Sequence, residues 1–400
     1  MTNPLTVLCL SSAYKGTAML REYKRLGCRV LLVIPEKIKD EDWPMDGIDE
    51  RFLMPDLLDI NHIVNAVSYL GRSEHIELVQ PLDDYELDTC ATLREHLRLP
   101  GLGESTTRLW RDKLAMRMRA KERGIPVPEF SAVLNYDDLR AFMLRVEPPW
   151  LLKPRSEAGA MGIKKVNSPD DVWHWLQQFG DIQSKFLLEQ FVPSDVYHVD
   201  TIVWERQIKF NIASGYGQPP LSVSHGGGVF TTKVLDRNGA LAQSLFAMNA
   251  RVIESFGLER GITHIEFLKS HADGQVRFLE GAARAGGANI SDMIEHASGI
   301  NLWEEWARLE VARAHGDDYR LPTMRADAAG VIICLAKQEW PDLAGFSEPE
   351  VVWKLNKQYH AGLIVRSPDF ARVQSLLDDY AVRFQTDFVN WLPPMDTGRG

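Results

Sequence analysis

The sequence predicts a multidomain protein of the α/β and α+β classes, and three observations carry that prediction. The chain has 400 residues, enough for two or three domains at about 150 residues each. Its first part alternates short apolar runs with helical patterns, as parallel βαβ units do. Its later parts carry apolar runs separated by turn residues, which is typical of antiparallel strands. We therefore expect a Rossmann-like N-terminal layer followed by α+β structure.

Composition narrows the class of protein further. Apolar residues make up 45% of the chain, and 45 basic against 55 acidic side chains give a formal net charge of -10. Such a chain can bury large cores, which excludes a disordered, fibrous or disulfide-scaffold protein. The acidic balance also argues against a nucleic-acid partner, although a local basic patch can still hold phosphates.

Cysteine usage and hydropathy predict the compartment. Cys9, Cys28, Cys90 and Cys334 are far apart, lie in apolar runs and form no CxxC pair, so we expect buried thiols in a reducing compartment. The chain begins without a basic and apolar leader pattern, and no run approaches 18 apolar residues. We therefore expect a soluble, cytoplasmic protein with no membrane partner.

The first hundred residues read as a parallel sheet with helices on its faces. The expected strands are 5–10, 29–34, 51–54 and 76–79, and the expected helices are 17–26 and 60–70. The segment after the first strand, Ser11-Ser-Ala-Tyr-Lys-Gly16, lacks the GxGxxG pattern of dinucleotide-binding folds. Dinucleotide binding is therefore disfavoured.

The remainder reads as mixed helices and strands. A single helix is expected over 104–123, where seven basic residues stand against three acidic ones, and it ends at the GIPVP run 124–128. A second helix is expected over 169–179, and a helix over 370–384 within a small C-terminal α+β unit. The expected strands are 150–153, 187–191, 199–204, 208–212, 264–268, 276–279, 330–336 and 362–365. The tail 393–400 is expected to be frayed.

One predicted hairpin carries the most informative cluster of charged residues. His264 and Glu266 precede a turn containing Asp273-Gly274, and Glu280 and Arg284 follow it. Because side chains alternate along strands, the hairpin brings both glutamates and the guanidinium to one face. Carboxylate oxygens suit Mg2+, which nucleotide enzymes hold with one or two carboxylates plus substrate phosphates, and Arg284 can neutralise a phosphoryl group. The alternative is a cross-strand salt bridge on an exposed sheet.

Two lysines and two glycine-containing loops complete the candidate site. Lys153 ends an apolar strand just before the small-residue loop 156–162, where backbone N–H groups can approach a phosphate; the alternative is a surface lysine at a strand end. A Walker-type P-loop is excluded because the pattern is absent. In the segment 215–233, three glycines follow His225, which suggests that His225 or Lys233 contacts a substrate carboxylate or phosphate. A flexible surface loop is the alternative there.

Taken in order, these stretches resemble the ATP-grasp carboxylate–amine ligases, a group that includes L-amino acid ligases and biotin-carboxylase-like enzymes. The resemblance runs from about residue 76 to residue 311. Each motif is weak alone, but their order and spacing are specific. The matching stretches are QPLDDYE (80–86), RDK (111–113), GIPVP (124–128), LKP (152–154), EQFV (189–192), VD (199–200), HIE (264–266) and EGAARAGG (280–287).

The resemblance implies a binding role for particular residues. Lys113 and Lys153 would contact the phosphates of ATP, and Glu189 to Val192 would form the hinge strand that reads adenine through its backbone. Asp195 or Tyr197 would be the ribose contact, and Leu268 would pack beneath the adenine.

For the chemistry, the resemblance implies that Glu266 and Glu280 ligate Mg2+ and that Arg284 faces the phosphoryl group and the acyl phosphate. Arg284 and Lys153 would then be the catalytic residues. The family commonly has Glu-x-Asn-x-Arg, whereas Ala282 stands here where an asparagine would ligate a second metal ion. This departure leaves the number of Mg2+ ions open.

The resemblance also implies an organisation and a reaction. The domains would be a Rossmann-like unit (1–103), an ATP-grasp module (104–318) with a small lid lobe at about 116–190, and a C-terminal α+β unit (319–400). ATP would phosphorylate a substrate carboxylate and an amine or amino acid would attack it, giving an amide or peptide bond, ADP and phosphate. The alternatives are a biotin-carboxylase-like enzyme and a non-catalytic ATP-binding regulator. The partners would be small-molecule carboxylates and amines, and a homodimer is left open.

Overall fold

The structure, a computed structural model, describes residues 4–390 of the chain. The expected frayed tail 393–400 lies outside the described residues. The N-terminal part is a sheet with helices packed against it. Its elements are β1 (Thr6–Leu10), α1 (Thr17–Arg25), β2 (Arg29–Pro35), β3 (Glu50–Met54), α2 (Ile60–Leu70), β4 (Leu78–Pro81) and α3 (Glu86–Leu97).

The N-terminal strands are all parallel, in the order β3-β2-β1-β4, so the predicted Rossmann-like layer is confirmed. Every residue of β1 is buried, because helices cover both faces of such a sheet. The chain reverses its direction of winding between β1 and β4, and ligand crevices form at the carboxyl ends of such strands. Lys15 and Asp83 follow those two ends and form an ion pair of 2.7 Å.

The basic segment after this sheet is not one helix, and the expectation of a continuous helix over 104–123 is wrong. The chain forms α4 (Glu104–Thr107), a short turn, and α5 (Lys113–Glu122). The break has a local cause, since the Asp112 carboxylate accepts hydrogen bonds from the backbone N–H groups of Leu114 and Ala115 at 2.9 and 3.4 Å, the geometry of an N-cap. Lys113 is therefore the first residue of α5.

A small antiparallel sheet follows, with two helices on one face. Its elements are β5 (Phe130–Ala132), α6 (Tyr136–Arg145), β6 (Trp150–Pro154), β7 (Lys164–Val166), α7 (Pro169–Phe179) and β8 (Phe186–Gln190), with strand order β5-β8-β6-β7. Trp150 and Leu152 of β6 belong to the core shared with the helices. Leu151 and Lys153 alternate with them and so point to the opposite face.

The largest sheet has eight strands within residues 4–390, in the order β13-β12-β9-β10-β11-β14-β16-β15. Its elements and helices are β9 (Ser194–Trp204), β10 (Gln207–Tyr216), α8 (Pro220–Gly226), β11 (Phe230–Val234), α9 (Ala240–Phe256), β12 (Gly261–Ser270), β13 (Val276–Ala282), α10 (Ile290–Ser298), α11 (Leu302–His315), β14 (Ala328–Leu335), β15 (Val351–Lys354), β16 (His360–Ser367) and α12 (Phe370–Asp387).

The C-terminal strands are continuous with this sheet rather than apart from it. Strand β11 pairs antiparallel with β14, and β14 pairs with β16. The domain boundary expected near residue 319 stays a prediction, but the strands on its two sides share one hydrogen-bonded sheet. Among residues 4–390 no helix combines the length and apolar character needed to cross a membrane.

A buried polar cluster lies on one face of the large sheet. The Asp200 carboxylate, fully buried on β9, contacts His198 Nδ1 at 2.6 Å through one oxygen and His264 Nδ1 at 2.9 Å through the other. Burial alone would lower the pKa of His264, but Asp200 and Glu266 raise it to about 9. Burial lowers the pKa of His198, so His198 is neutral and His264 carries the positive charge near pH 7.

This charge makes a pH-dependent contribution to stability. The pKa of His264 rises from 6.5 to about 9 on folding, so its contribution is fully present below pH 6.5 and is lost as the pH rises through 9. It is on the order of 3 kcal/mol, since one pKa unit corresponds to about 1.4 kcal/mol. We expect the melting-temperature gap between the wild type and His264→Gln to shrink steadily from pH 6.5 to pH 9.5.

The control is His271→Gln, which alters a histidine on the exposed end of the hairpin, paired with Asp195 at 3.1 Å. Its melting temperature should stay at a constant offset from the wild type over that range. A gap for His264→Gln that does not change with pH would contradict the assignment of a charged His264.

Candidate functional site

A cavity lined by many charged side chains, termed the main cavity, lies where the three sheets face one another. It encloses about 420 Å³, within the range of small-molecule sites. Strands β6 and β8 form one wall, β12 and β13 form the opposite wall, and the loops after β1 and β4 close one end. The charged side chains that line it are Lys15, Asp83, Asp84, Arg111, Lys113, Lys153, Glu157, Glu189, His264, Glu266, Glu280 and Arg284.

Two carboxylates stand opposite each other on one wall. Glu266 of β12 pairs directly with Glu280 of β13, as the predicted hairpin required. Glu266 Oε1 accepts a hydrogen bond from the Tyr216 hydroxyl at 2.6 Å and lies 3.5 Å from His264 Nε2. Burial raises the pKa of Glu266, but the contacts with His264 and Tyr216 outweigh burial and lower it. The carboxyl group is therefore ionised.

A cation approaches the carboxylates from α5. Lys113 Nζ lies 3.2 Å from Glu280 Oε2 and also donates to the backbone carbonyl of Glu157. The N-cap at Asp112 places this lysine at the first position of α5, so its side chain extends into the cavity. The structure therefore brings Lys113 and the predicted metal ligands together.

A second cation comes from the small sheet. Lys153 Nζ and Arg117 both form ion pairs with Glu189, whose side chain is almost fully buried. Burial raises the pKa of Glu189, but Arg117 and Lys153 lower it below its ordinary value. Glu189 therefore acts through its side chain as the anchor for Lys153, whereas the sequence indicated only a backbone role. The sequence analysis did not single out Arg117. Its position four residues after Lys113, which puts the two side chains on one face of a helix, was a usable signal.

Arg284 lies at the end of the cavity next to the N-terminal sheet. Its Nε is 3.6 Å from Asp84 Oδ1, and its Nη1 donates to the Ala285 carbonyl at 2.8 Å. Arg111 donates to the other oxygen of Asp84 at 3.0 Å. Burial would raise the pKa of Asp84, but these guanidinium groups lower it. Asp84 thus orients two arginines, a role the sequence did not assign although the DD pair follows a strand end.

The donor set fits a divalent cation held with a phosphate-bearing ligand. Within residues 4–390, Glu266 Oε2 and Glu280 Oε1 have no hydrogen-bond partner, and both residues line the cavity. Hard oxygen donors of this kind are what Mg2+ prefers. Ala282 pairs with His264 two positions along the ladder, on the same face, and its side chain offers no oxygen donor. Glu266 and Glu280 are therefore the residues that would hold Mg2+.

The small-residue loop 156–162 covers part of the cavity. Arg111 donates to the Ser156 carbonyl, Lys113 to the Glu157 carbonyl, and the Tyr85 hydroxyl to Glu157 Oε2 at 2.9 Å. Side chains of α5, of the segment before it and of the N-terminal domain thus bind the loop. The backbone of Gly159 and Gly162 has positive φ angles of 63° and 69°, which glycine adopts without strain.

Two further predicted contacts reach the cavity. Val192 and Leu268 line it with Phe191, as the resemblance implied for an adenine pocket. Asp195 and Tyr197 do not line it. Strand alternation on β9 turns Val196 into the main cavity, Tyr197 towards a second cavity, and Asp195 to the exposed His271.

The two residues predicted from the glycine segment also lie elsewhere. Lys233 of β11 lines the second cavity, between the sheet and α12, because its neighbour Thr232 faces the buried cluster. His225 lies on the short helix α8 rather than in a loop, and its Nε2 is 3.4 Å from the Ala160 carbonyl of the small-residue loop. Neither residue lines the main cavity, so the structure does not support their predicted substrate contacts.

Comparison with known proteins is consistent with this site. No protein-family model matches the chain. An L-arginine-specific L-amino acid ligase from Bacillus subtilis is 24% identical over 327 residues, covering 76% of each chain. The structure of an L-amino acid ligase from Bacillus licheniformis has the same fold, with a TM-score of 0.77, 14% identity and coverage of 98% of this chain and 100% of that one.

A third similar protein was solved with a nucleotide. The biotin carboxylase domain of 2-oxoglutarate carboxylase from Hydrogenobacter thermophilus, in complex with MgADP, ADP and bicarbonate, has a TM-score of 0.71 at 15% identity and covers 96% of this chain and 91% of that one. The solved structures share the fold, and the sequence match extends over three quarters of the chain. The relative and the structural neighbours together indicate an ATP-grasp carboxylate–amine ligase.

Proposed function

We propose that this enzyme joins an amino acid, or another small carboxylate, to an amine or a second amino acid at the main cavity. The ligase class, with ATP as substrate and Mg2+ as cofactor, follows from its relatives. The observation that supports these residue roles is the meeting of Glu266, Glu280, Lys113, Lys153 and Arg284 in one cavity. Cations and carboxylates from separate elements are what phosphoryl transfer requires, because its catalysis is mostly positioning and charge stabilisation.

The binding half of the reaction uses both walls. Lys113 and Lys153 hold the phosphates from opposite sides, and Val192 and Leu268 provide apolar contacts for the base. When bound by Glu266 and Glu280, Mg2+ would neutralise negative charge on the phosphates. The buried Glu189 carboxylate pairs with both Arg117 and Lys153 and so anchors Lys153 at the cavity wall.

The chemical half takes place near Arg284. A substrate carboxylate oxygen attacks the γ-phosphorus, the bond from that phosphorus to the bridging oxygen of ADP breaks, and the acyl phosphate forms. The amine nitrogen then attacks the acyl carbon, the bond from that carbon to the phosphate oxygen breaks, and phosphate leaves while the nitrogen loses a proton to the phosphate or to solvent. Arg284 is permanently cationic: burial alone would lower its pKa, but the nearby Asp84 carboxylate raises it above its ordinary value. It can therefore stabilise the phosphoryl charge in both steps.

The relatives favour this reaction over the alternatives. The biotin-carboxylase-like alternative fits less well, because the sequence match over three quarters of the chain is to an L-amino acid ligase. We also propose that the partners are small molecules rather than nucleic acid, given the net charge of -10. The four cysteines are buried and free, which supports our proposal of a cytoplasmic location.

The first prediction tests the reaction itself. A screen of amino acids and other carboxylates in pairs should release phosphate and ADP, not AMP and pyrophosphate. With the productive carboxylate and hydroxylamine in place of the amine, a hydroxamate should form. Arg284→Ala should lower its yield about 100-fold, the scale of a lost electrostatic stabiliser, while ATP binding is largely retained.

The matched control is Arg277→Ala, which removes an arginine of the same hairpin that pairs with Asp273 at 2.6 Å, outside the cavity. It should leave the hydroxamate yield unchanged. AMP among the products would overturn the reaction, an undiminished yield from Arg284→Ala would overturn the role of that residue, and ATP binding with no turnover for any pair would favour the non-catalytic regulator.

The second prediction concerns Lys153. Replacing it with alanine leaves Glu189 paired with Arg117, so the fold should survive, while nucleotide binding should weaken and turnover should fall about 100-fold or more. Fluorescence titration with ATP and steady-state kinetics measure both effects. The control is Lys209→Ala, which removes an exposed lysine of the large sheet. Wild-type turnover in Lys153→Ala would reject the assignment.

The third prediction concerns the loop 156–162. We expect its amides to exchange quickly without nucleotide and to be protected when ATP and Mg2+ bind, because closure excludes water from the phosphates. Tyr85→Phe removes the hydroxyl that holds Glu157 and should raise exchange in the free protein. Exchange that ATP and Mg2+ leave unchanged would argue against a lid, and the exposed loop around Asn238 serves as the internal reference.

A further inference from the structure

We infer that Tyr216 is a positioning residue that fixes the metal-binding orientation of Glu266. This inference rests on the proposed magnesium site and deepens it. Nothing in the sequence pattern singled out Tyr216, which ends β10 just before the Gly217-Gln218-Pro219 turn. Its role emerges from the sheet, where it reaches a residue two strands away.

The path of the Tyr216 side chain is unusual for a sheet residue. Strand β9 lies between β10 and β12, so Tyr216 cannot be a direct cross-strand neighbour of Glu266. Residues Ser214, His198, Glu266 and Glu280 form one row across four adjacent strands. Tyr216 shares the face of Ser214 two positions along, and its ring passes over His198, with ring centroids 4.9 Å apart.

The ring is held by contacts that do not involve its hydroxyl. Phe230 packs edge-on against it, with centroids 5.6 Å apart. Thr232, the residue that pairs with Tyr216 across β10 and β11, contacts His198 Nε2 at 2.9 Å. His198 is in turn held by Asp200. These contacts orient the phenol, and its oxygen lies 2.6 Å from Glu266 Oε1 and 3.4 Å from His264 Nε2.

The consequence is an asymmetric carboxylate. Glu266 Oε1 is occupied by the Tyr216 hydroxyl, with His264 Nε2 at 3.5 Å, whereas Oε2 has no partner within residues 4–390. Of the two oxygens, only Oε2 is then free to bind a cation in the cavity. A carboxylate without this anchor could rotate about its last bond and present either oxygen. Hydrogen bonds from outside the metal's own ligands are known to orient those ligands and tune metal affinity.

The test replaces one hydroxyl. Tyr216→Phe keeps the ring and its contacts with His198 and Phe230. It removes the hydroxyl's 2.6 Å bond to Glu266 and its longer 3.4 Å contact with His264 Nε2. We expect the affinity of the enzyme–ADP complex for Mn2+, measured by electron paramagnetic resonance, to fall 10- to 100-fold, the range found for lost outer partners of metal ligands. Binding of ADP in the presence of EDTA should stay within twofold of the wild type, which separates an effect on the metal from a general loss of the site.

The matched control is Tyr319→Phe, which removes another buried tyrosine hydroxyl that donates to a carboxylate at 2.6 Å, that of Glu305, away from the cavity. Its Mn2+ affinity should equal that of the wild type. The inference is overturned if Tyr216→Phe binds Mn2+ within twofold of the wild type, or if metal-free ADP binding falls by the same factor as Mn2+ binding.

A third variant, Glu266→Gln, separates this inference from the proposed function. If Glu266→Gln weakens Mn2+ binding strongly and Tyr216→Phe does not, the magnesium site stands and the positioning role fails. If Glu266→Gln leaves Mn2+ binding intact, both the magnesium site and the positioning role fail. Weaker Mn2+ binding in both variants supports both the magnesium site and the positioning role of Tyr216.

Discussion

Two carboxylates directly opposite each other on adjacent strands set the central constraint of this structure. Glu266 and Glu280 occupy paired positions of β12 and β13, where like charges repel, and both line a cavity of limited size. Hydrogen-bond donors and cations around the pair offset this repulsion. His264 and Tyr216 supply them for Glu266, and Lys113 supplies one for Glu280. The surrounding elements are arranged to bring these groups within reach.

The groups come from elements far apart in the chain, and each is fixed by a separate local device. An aspartate N-cap fixes the start of α5, and hence Lys113. A buried ion trio of Arg117, Glu189 and Lys153 ties α5 to strands β8 and β6 of the small sheet. Asp84, just after β4 of the N-terminal sheet, holds Arg111 and Arg284. Nucleotide and substrate would therefore meet charges whose positions are already set, which reduces reorganisation during the reaction.

The sequence predicted the parts of this arrangement that depend on local patterns. The parallel N-terminal sheet followed from alternating apolar runs and helices. The opposition of Glu266 and Glu280 followed from strand alternation across a short turn. Lys153 was found because a lysine at the end of a buried strand, before small residues, is a local signal too.

Other parts depended on pairing that no local pattern encodes. Asp195 and Tyr197 were placed by position in a motif, but the face on which the cavity lies is set by how β9 pairs with β12. The same holds for Lys233, whose neighbour Thr232 takes the buried side. Arg117 and Tyr216 act on residues 72 and 50 positions away, so their roles appear only once the sheets have assembled. The prediction of one helix over 104–123 was wrong because the sequence alone does not show that the Asp112 side chain caps α5.

The backbone near Glu266, as well as the charges around it, limits which substitutions this cluster can accept. A Cβ at Gly286 would lie 3.0 Å from His264 Nδ1 and 3.1 Å from Asp200 Oδ1, closer than most real contacts, so a larger residue there would push apart the pair that holds His264. On the adjacent strand, Ala282 faces His264 across the ladder, and its methyl group leaves the imidazole open to the cavity. Ala282 and Gly286 are thus both neighbours of His264. The geometry of Glu266 depends on the backbone after β13 as much as on the side chains that contact it.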